Sequence, residues 1–277
     1  MHKINTYIQD SLQSIYSPPE LKSIKSVLFT DILGLKQMDV YLGKDIKITR
    51  AQRARIHKAV DRLKNNEPLQ YVVGAAYFYG SKFDVKPGVL IPRPETEELV
   101  DLILHENSGA YSLLDIGTGS GCIALSIAKN NPDAKVEAWD VSEEALKIAR
   151  SNRKKLNVSV RLKKQDILTY EPKSKKVDII VSNPPYITQD EQKLMMNNVL
   201  DWEPHLALFV ENHNPLLFYN RIAEVGLKML KRGGKLYFEI NQAYGHEMFL
   251  LLEQKKYKNV QVLKDIYGKD RIVTAER

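Results

Sequence analysis

The 277-residue sequence contains a single cysteine, Cys122. One cysteine excludes an internal disulfide and any zinc site built from several cysteines. Because Cys122 begins the apolar run Cys122-Ile123-Ala124-Leu125, we expect a thiol buried in the core and not a reactive one. The protein is therefore expected to fold without disulfide bonds or a structural metal ion.

Long apolar runs are also absent. No run approaches the length needed to span a membrane, and residues 1–10 are polar where a secretory signal needs an apolar stretch. We therefore expect a cytoplasmic protein with no membrane partner. No metal is predicted, because the histidines lack metal-ligand spacing: His57, His105, His205, His213 and His246.

The net charge of +7 is unevenly distributed. Residues 1–66 hold 12 Lys and Arg against 6 Asp and Glu, whereas the remainder holds 29 against 28. A basic segment on an otherwise neutral protein suits a polyanionic neighbour such as RNA or a ribosomal complex. A solvated helical surface without a partner is the alternative, since no aromatic residues interleave the basic ones.

Residues 1–66 are predicted to form a small helical domain. Apolar residues recur there at helical spacing, and Thr49 is the expected N-cap of a helix that buries Ile56, Val60 and Leu63. The segment 42–45, Leu-Gly-Lys-Asp, interrupts this pattern.

Residues 67–92 are predicted to form a β-hairpin linker. From Tyr71 to Ile91 the chain is rich in aromatic and β-branched residues, with Gly80 and Pro87-Gly88 as turns. Pro94 is well placed to open the next helix, because the acidic residues after it favour the positive end of the helix dipole.

Residues 93–277 are predicted to form a doubly wound α/β sheet, because short apolar strands alternate with amphipathic helical segments. The expected strands are Ser112–Ile116, Val136–Trp139, Arg161–Lys164, Val177–Ser182, Lys235–Ile240, Val260–Leu263 and Arg271–Thr274. The last two strands should be antiparallel, since the segment between them is too short for a helical crossover.

The strand Leu113–Ile116 runs directly into a glycine-rich turn, Gly117-Thr118-Gly119-Ser120-Gly121. Such a turn lets a ligand approach the backbone, but its third glycine comes one residue too early for a dinucleotide fingerprint. Asp140 follows about 20 residues later, where a carboxylate can accept both hydroxyls of a ribose. The pattern favours a cofactor that carries ribose, adenine and an amino acid, which the Asp115 carboxylate could further orient. The alternative is a tight turn in which Asp140 caps the helix at Ser142.

A further predicted strand ends in Asn183-Pro184-Pro185-Tyr186, at the sheet edge where open α/β folds bind ligands. The two prolines make this loop rigid and rich in hydrogen-bond acceptors. The alternative is a proline-rich strand end with a surface tyrosine.

This loop suits the alkylation of a planar amide or amino nitrogen, whose lone pair is delocalised. We expect the Asn183 side-chain oxygen and the Pro184 carbonyl to accept hydrogen bonds from the two N–H groups of this nitrogen. These bonds orient the nitrogen and favour its developing positive charge. Tyr186 would stack on the planar group, and no strong base is needed before attack.

The sequence resembles the glutamine-N5 methyltransferases that modify the Gly-Gly-Gln motif of class I peptide chain release factors. The resemblance covers nearly the whole chain. Its motifs are Pro68-Leu69-Gln70-Tyr71, Gly80, the run VLIPRPETE from Val89 to Glu97, the loop Asp115–Gly121 and Asn183–Tyr186.

The resemblance implies a Rossmann-like class I methyltransferase sheet of seven strands and the cofactor S-adenosylmethionine, with S-adenosylhomocysteine as product. It implies that Asp115, Gly117–Gly121, Asp140 and Asn183 bind this cofactor, with Asp166 and Leu168 beside its adenine. Asn183–Tyr186 would bind the substrate glutamine, with Arg93 and Glu95 as further substrate-binding residues.

The resemblance further implies that Arg93, Glu95 and Thr96 line the junction between the domains and that residues 1–66 recognise the substrate. A capped helix held by a local ion pair is the alternative for that junction. The implied partner is a class I release factor, near the ribosome and without direct DNA binding.

Three positions depart from the family pattern. Gln165 and Asn241 stand where glycine is usual, and Leu168 replaces an aromatic residue. Loss of ring stacking at Leu168 puts cofactor affinity, more than activity, in question.

Two other functions fit parts of the pattern. Adenine N6 of nucleic acid presents the same planar amino group, but the neutral region after residue 110 has little charge to hold phosphates. A non-catalytic RNA-binding module with this fold would not need Asn183, Tyr186, Gly119 and Asp140 together.

Overall fold

The structure, a computed structural model, describes residues 2–42, 47–172, 176–195 and 197–277. The chain divides into two compact units, Met1–Ala75 with Met196–Trp202, and Ala76–Met195 with Glu203–Arg277. Each unit has its own hydrophobic core. The finer division into residues 1–66, 67–92 and 93–277 stays a prediction.

The first unit is helical, as predicted, and its amphipathic helices pack their apolar faces together. The helices from residue 2 to residue 73 are α1 (His2–Leu12), α2 (Pro18–Val27), α3 (Gln37–Tyr41), α4 (Arg50–Lys64) and α5 (Leu69–Val73). A π-helical turn, Leu28–Ile32, follows α2. Of the predicted break at 42–45, residues 43–45 lie outside the described residues.

Helix α4 begins at the predicted cap. The Thr49 hydroxyl accepts a hydrogen bond from the Gln52 backbone N–H at 3.1 Å, and the Gln52 side chain accepts one from the Thr49 backbone N–H at 3.0 Å. This reciprocal arrangement is a capping box, in which such a cap stabilises by about 1 kcal/mol. The helix buries Ile56, Val60 and Leu63, as its spacing predicted.

The hairpin predicted from Tyr71 onward begins later than expected. Residues 69–73 form α5, which ends where Gly74 adopts a left-handed φ of 74°. Strands β1 (Ala75–Phe78) and β2 (Ser81–Asp84) follow it. The β-branched residues of α5 favour a strand by local preference, and the prediction followed that preference. A helix this short is stabilised mainly by the burial of Tyr71 and Val72.

The seven strands predicted after residue 93 are all present, with ends shifted by up to five residues. The short helices and strands between residues 187 and 210 were not predicted. The remaining helices are α6 (Pro94–Glu106), α7 (Cys122–Asn130), α8 (Glu143–Leu156), α9 (Asn197–Leu200), α10 (His205–Leu208), α11 (Leu217–Met229) and α12 (Gly245–Gln254). The remaining strands are β3 (Ser112–Ile116), β4 (Lys135–Asp140), β5 (Val160–Lys164), β6 (Val177–Ser182), β7 (Ile187–Thr188), β8 (Phe209–Val210), β9 (Leu230–Glu239), β10 (Lys258–Lys264) and β11 (Asp270–Glu276).

The described strands of the main sheet follow the order β10-β11-β9-β6-β3-β4-β5, which makes it seven-stranded. β9, β6, β3, β4 and β5 pair in parallel, whereas β11 is antiparallel to both β9 and β10. The antiparallel final pair is as predicted. This is the topology of a doubly wound α/β sheet, and it carries helices on both faces.

The two faces of the sheet have separate cores. Helices α11 and α12 cover one face, while α6 and α7 cover the other. Because both faces are buried, β6 reads as a nearly continuous apolar run. Helix α6 begins at Pro94 with Glu95 and Glu97 in its first turn, as predicted.

Candidate active site

A cavity of about 1060 Å³, its open mouth included, lies at the carboxyl ends of β3, β4 and β6. Ile116, Asp140 and Ser182 end these strands, and all three line it. Strands β4 and β6 flank β3 on opposite sides, so the cavity lies where the strand order reverses. Open α/β sheets bind ligands at this point.

The glycine-rich turn forms one wall of the cavity. Gly117 and Gly119 line it and have φ values of 76° and 56°, which side chains rarely tolerate. The backbone N–H groups of Gly117 and Thr118 donate to the Trp139 carbonyl, each at 2.9 Å. The loop is thus tied to the end of β4.

Asp140 holds this loop and the next helix together. One carboxylate oxygen accepts the Gly119 N–H at 2.8 Å, and the other accepts the Ser142 N–H at 2.8 Å. Burial raises the pKa of Asp140, which its backbone hydrogen bonds partly oppose. The side chain therefore supports the start of α8 while it lines the cavity.

Asp115 is fully buried at the end of β3. The Thr118 hydroxyl donates to one carboxylate oxygen at 2.6 Å, while Oδ1 has no hydrogen-bond partner within the described part of the chain. Burial raises the pKa of Asp115 to about 7. Next to this carboxyl, burial raises the pKa of the half-buried Cys122 to about 12, so the thiol stays protonated.

The predicted site residues divide into two groups. Those that line the cavity are Gly117, Gly119, Asp140, Asp166, Leu168, Asn183, Pro184 and Pro185. Those outside its lining are Asp115, Thr118, Ser120, Gly121, Tyr186, Arg93 and Glu95. Gly121 packs so closely that an added Cβ would lie 2.8 Å from Leu125, which indicates a packing requirement there.

Two of the three positions that depart from the family pattern, Gln165 and Leu168, lie on another wall of the cavity. The third, Asn241, lies outside the lining and donates to the Glu191 carboxylate at 2.9 Å. Gln165, Asp166 and Leu168 line the cavity there, and Asp166 accepts the Leu168 backbone N–H at 2.9 Å. Leu168 is 37% exposed, and Val141 and Leu206 are likewise exposed apolar side chains of the lining. These three can cover a flat apolar ring.

Asn183 lies where β6 meets the cavity. The preceding Ser182 hydroxyl donates to the Ile116 carbonyl at 2.6 Å, which joins the ends of β6 and β3. The Asn183 side-chain N–H donates to the Thr96 hydroxyl at 3.4 Å. A Cβ added to Gly117 would lie 4.0 Å from the Asn183 carbonyl oxygen, so the two loops are neighbours.

Glu239 is a site residue that the sequence reasoning missed. It is 1% exposed, accepts the Thr96 hydroxyl at 2.6 Å and accepts the Tyr186 hydroxyl at 3.3 Å. Burial raises its pKa, against the opposing effects of Thr96, Arg271 and Tyr186. The sequence offers one indication of this role, because Glu239 is a carboxylate that directly follows the apolar residues at the end of β9.

Arg93 pairs with another missed residue, Glu203. The Arg93 guanidinium donates to the Glu203 carboxylate at 2.6 Å, and the Ile91 backbone N–H donates to the other oxygen at 3.1 Å. Glu203 is buried, and the following Pro204 and Leu206 line the cavity. The pair is not local in sequence, so the alternative of a local ion pair at α6 was wrong for Arg93.

Two further properties of the described residues bear on function. Their His, Cys, Asp and Glu side chains form no cluster suited to a metal ion. None of their helices combines the length and apolar character that a membrane crossing requires.

The chain matches two family models over parts of its length and known proteins over nearly all of it. It matches the Methyltransferase small domain over residues 95–202 and the PrmC N-terminal domain over residues 6–74. The release factor glutamine methyltransferase of Bacteroides thetaiotaomicron is 55% identical over 100% of both chains. That of Flavobacterium psychrophilum is 44% identical over 97% of this chain and 96% of the relative.

A crystal structure supports the fold independently. The methyltransferase from Pyrococcus furiosus aligns with a TM-score of 0.54 and 20% identity over 82% of this chain and 98% of that chain. The sheet is therefore a Rossmann-like methyltransferase sheet, and the full-length identities to the two bacterial relatives make the chain a member of the release factor glutamine methyltransferase family.

Proposed function

We propose that this chain transfers a methyl group from S-adenosylmethionine to the side-chain N5 of the glutamine in the Gly-Gly-Gln motif of class I peptide chain release factors. The products are the methylated glutamine and S-adenosylhomocysteine, and the modification supports translation termination in the cytoplasm. One observation carries the proposal: Asn183 and Pro184 line the same cavity as Gly117, Gly119 and Asp140. An acceptor-rich loop thus adjoins a loop suited to a nucleoside.

The cavity residues fit the cofactor. A Cβ at Gly119 would meet nothing within 4 Å, so a ligand can approach this backbone closely. Asp140 offers a carboxylate for ribose hydroxyls, and Asp166 and Leu168 lie on the wall proposed for adenine. Asp115 lies outside this lining and is proposed to orient the ammonium group of the cofactor through water. S-adenosylmethionine supplies an electrophilic methyl group on a sulfonium.

The chain's own residues act on the acceptor nitrogen. The Asn183 side-chain oxygen and the Pro184 carbonyl accept the two N–H bonds of the glutamine amide, which aligns its lone pair for attack. Both oxygens also favour the positive charge that develops on nitrogen. Tyr186 packs on the planar amide, and one N–H proton passes to solvent water once the nitrogen is alkylated.

Arg93 and Glu95 are proposed to contact the segment around the target glutamine. The Arg93 guanidinium already donates to Glu203, so it would contact substrate through its remaining N–H donors. Glu95 is half-buried in the first turn of α6, next to Thr96.

We further propose that the first unit recognises the body of the release factor close to the ribosome. Helix α4 supports this because it exposes a set of cations to solvent: Arg50, Arg53, Arg55, Lys58 and Lys64. Binding to a polyanion through such side chains weakens steeply as salt rises. Sedimentation with ribosomes at increasing salt, with Arg53→Gln and Lys58→Gln alongside, tests the idea. Salt-independent or absent association would refute it.

The decisive experiment is mass spectrometry of a purified release factor after incubation with the protein and S-adenosylmethionine. We expect one added methyl on the Gly-Gly-Gln glutamine, and its loss with Asn183→Ala. A release factor with that glutamine changed to alanine is the matched substrate control. Methylation of adenine in nucleic acid, with none on the release factor, would overturn the proposal.

A further inference from the structure

We infer that Thr96 and Glu239 are positioning residues that fix which end of the Asn183 side-chain amide faces the acceptor nitrogen. The inference rests on the proposed function, in which the Asn183 side-chain oxygen must accept a hydrogen bond from an N–H group of the substrate amide. Neither residue touches the reacting atoms in this scheme. They act through Asn183.

The orientation matters because the two ends of an asparagine amide have nearly the same shape and opposite roles. The oxygen accepts hydrogen bonds, and the nitrogen donates two. A half-turn of the Asn183 amide would present N–H groups to the N–H groups of a substrate amide. Two facing donors repel each other, so the site needs a device that selects one orientation.

Thr96 and Glu239 form that device through the directions of their hydrogen bonds. A threonine hydroxyl has a single hydrogen, and an ionised carboxylate can only accept. The Thr96 hydrogen is committed to Glu239 Oε2 at 2.6 Å. The Thr96 oxygen can therefore only accept from Asn183, which turns the amide nitrogen toward it at 3.4 Å and leaves the amide oxygen for the substrate.

Burial of Thr96 and Glu239 strengthens the preference for this orientation of the Asn183 amide. Thr96 is 3% exposed and Glu239 is 1% exposed, so solvent cannot readily replace either partner. The same carboxylate accepts the Tyr186 hydroxyl at 3.3 Å through its other oxygen. One buried group thus holds both functional side chains of the Asn183–Tyr186 loop.

The ionisation state of Glu239 sets the direction of the hydrogen bonds that join Asn183, Thr96 and Glu239. A protonated Glu239 could donate to Thr96, which would free the Thr96 hydrogen for the Asn183 oxygen and remove the preference. Besides the Thr96 hydroxyl, the titratable and charged groups around it are Glu95 of α6, Cys122 of α7, Tyr186, Tyr219 of α11 and Arg271 of β11. Burial and Glu95 favour protonation, while Arg271 and the hydroxyl donors favour the ionised form.

The first test is Thr96→Val, which keeps the shape and removes the hydroxyl. We expect kcat for release factor methylation to fall about twofold or more, since two amide orientations of equal free energy leave only half of the enzyme productive. The Kd for S-adenosylmethionine should change less than threefold, and Thr96→Ser should recover most of the lost rate. Ser126→Ala removes a fully buried hydroxyl of α7 and serves as the matched control.

The second test needs no substrate. In a ¹⁵N spectrum we expect one Asn183 side-chain N–H to be shifted and protected from exchange, and this protection to be lost in Thr96→Val. Asn183→Ala identifies the signal by its absence. Should Thr96→Val not fold, Glu239→Gln replaces it: wild-type kcat should fall on acidification, and this acid limb should disappear in Glu239→Gln.

The outcomes separate the two proposals. A wild-type enzyme that leaves the release factor unmethylated refutes the proposed function, while the spectrum still decides the orientation of Asn183. A wild-type kcat in Thr96→Val, or an Asn183 N–H without protection in the wild type, overturns the positioning role. Retention of the acid limb in Glu239→Gln overturns the role of Glu239.

Discussion

The Asp140 carboxylate accepts the backbone N–H of Gly119 at 2.8 Å. Its second oxygen accepts the N–H of Ser142 at the start of α8. The sequence left open whether Asp140 binds a ribose or caps a helix, and the geometry makes these roles compatible. A residue that shapes the glycine loop can also line the cavity formed by that loop.

Replacement of Asp140 by alanine should weaken cofactor binding. We expect the Kd for S-adenosylmethionine to rise about 10- to 100-fold, because the proposed ribose ligand is lost and the loop loses its anchor. Isothermal titration calorimetry measures this. Thr49→Ala is the control, since it removes a helix cap in the first unit and should leave Kd unchanged. Equal affinities of wild type and Asp140→Ala would contradict the assignment.

The ring and the hydroxyl of Tyr186 should contribute separately. Tyr186→Phe keeps the ring and removes the donor to Glu239, so we expect mainly a loss of stability of about 1 kcal/mol. Tyr186→Ala also removes the packing surface for the substrate amide, and KM for the release factor should rise about 3- to 10-fold. Steady-state kinetics with both variants tests this. Identical KM values would show that the ring does not contact substrate.

The sheet and the two loops were predictable because their signals are local. A strand that runs into glycines, and a strand that ends in Asn-Pro-Pro-Tyr, each occupy about ten consecutive residues. Glu239 and Glu203 were missed because their partners Thr96 and Arg93 lie 143 and 110 residues away. Sequence periodicity shows that such a residue is buried or exposed, but not which distant group it meets.

Loss of the Arg93 side chain should destabilise the second unit. Arg93→Ala leaves the buried Glu203 carboxylate without its cation, and we expect the free energy of unfolding to fall by about 1–3 kcal/mol. Urea unfolding followed by circular dichroism measures it. Lys147→Ala breaks the exposed pair with Glu144 and should leave the midpoint unchanged. A midpoint for Arg93→Ala equal to that control would contradict the expectation.

Asn152 should prove important for the hairpin and the glycine loop. Its fully buried amide accepts the Asp84 N–H at 2.6 Å and donates to the carbonyls of Asp84 and Ser120 at 3.0 and 2.9 Å. Asn152→Leu keeps the volume and leaves these backbone groups unpaired, which should cost about 1–3 kcal/mol. Hydrogen exchange should quicken at the Asp84 amide. Unchanged protection there would show that water replaces the side chain.

Asp115 should give the second unit a pH-dependent stability. Its folded pKa of about 7 exceeds the ordinary value of 3.8, so the folded state holds a proton that the unfolded state has released. This stabilisation of the folded state is complete below pH 3.8, declines as the pH rises and is lost above about pH 7. Asp115→Asn lacks this decline, so its stability relative to wild type should rise across that range by up to about 1.4 kcal/mol per pH unit. Urea unfolding monitored by Trp139 fluorescence in a Trp202→Phe background measures the difference. Parallel pH profiles would mean that the pKa of Asp115 is the same in the folded and unfolded states.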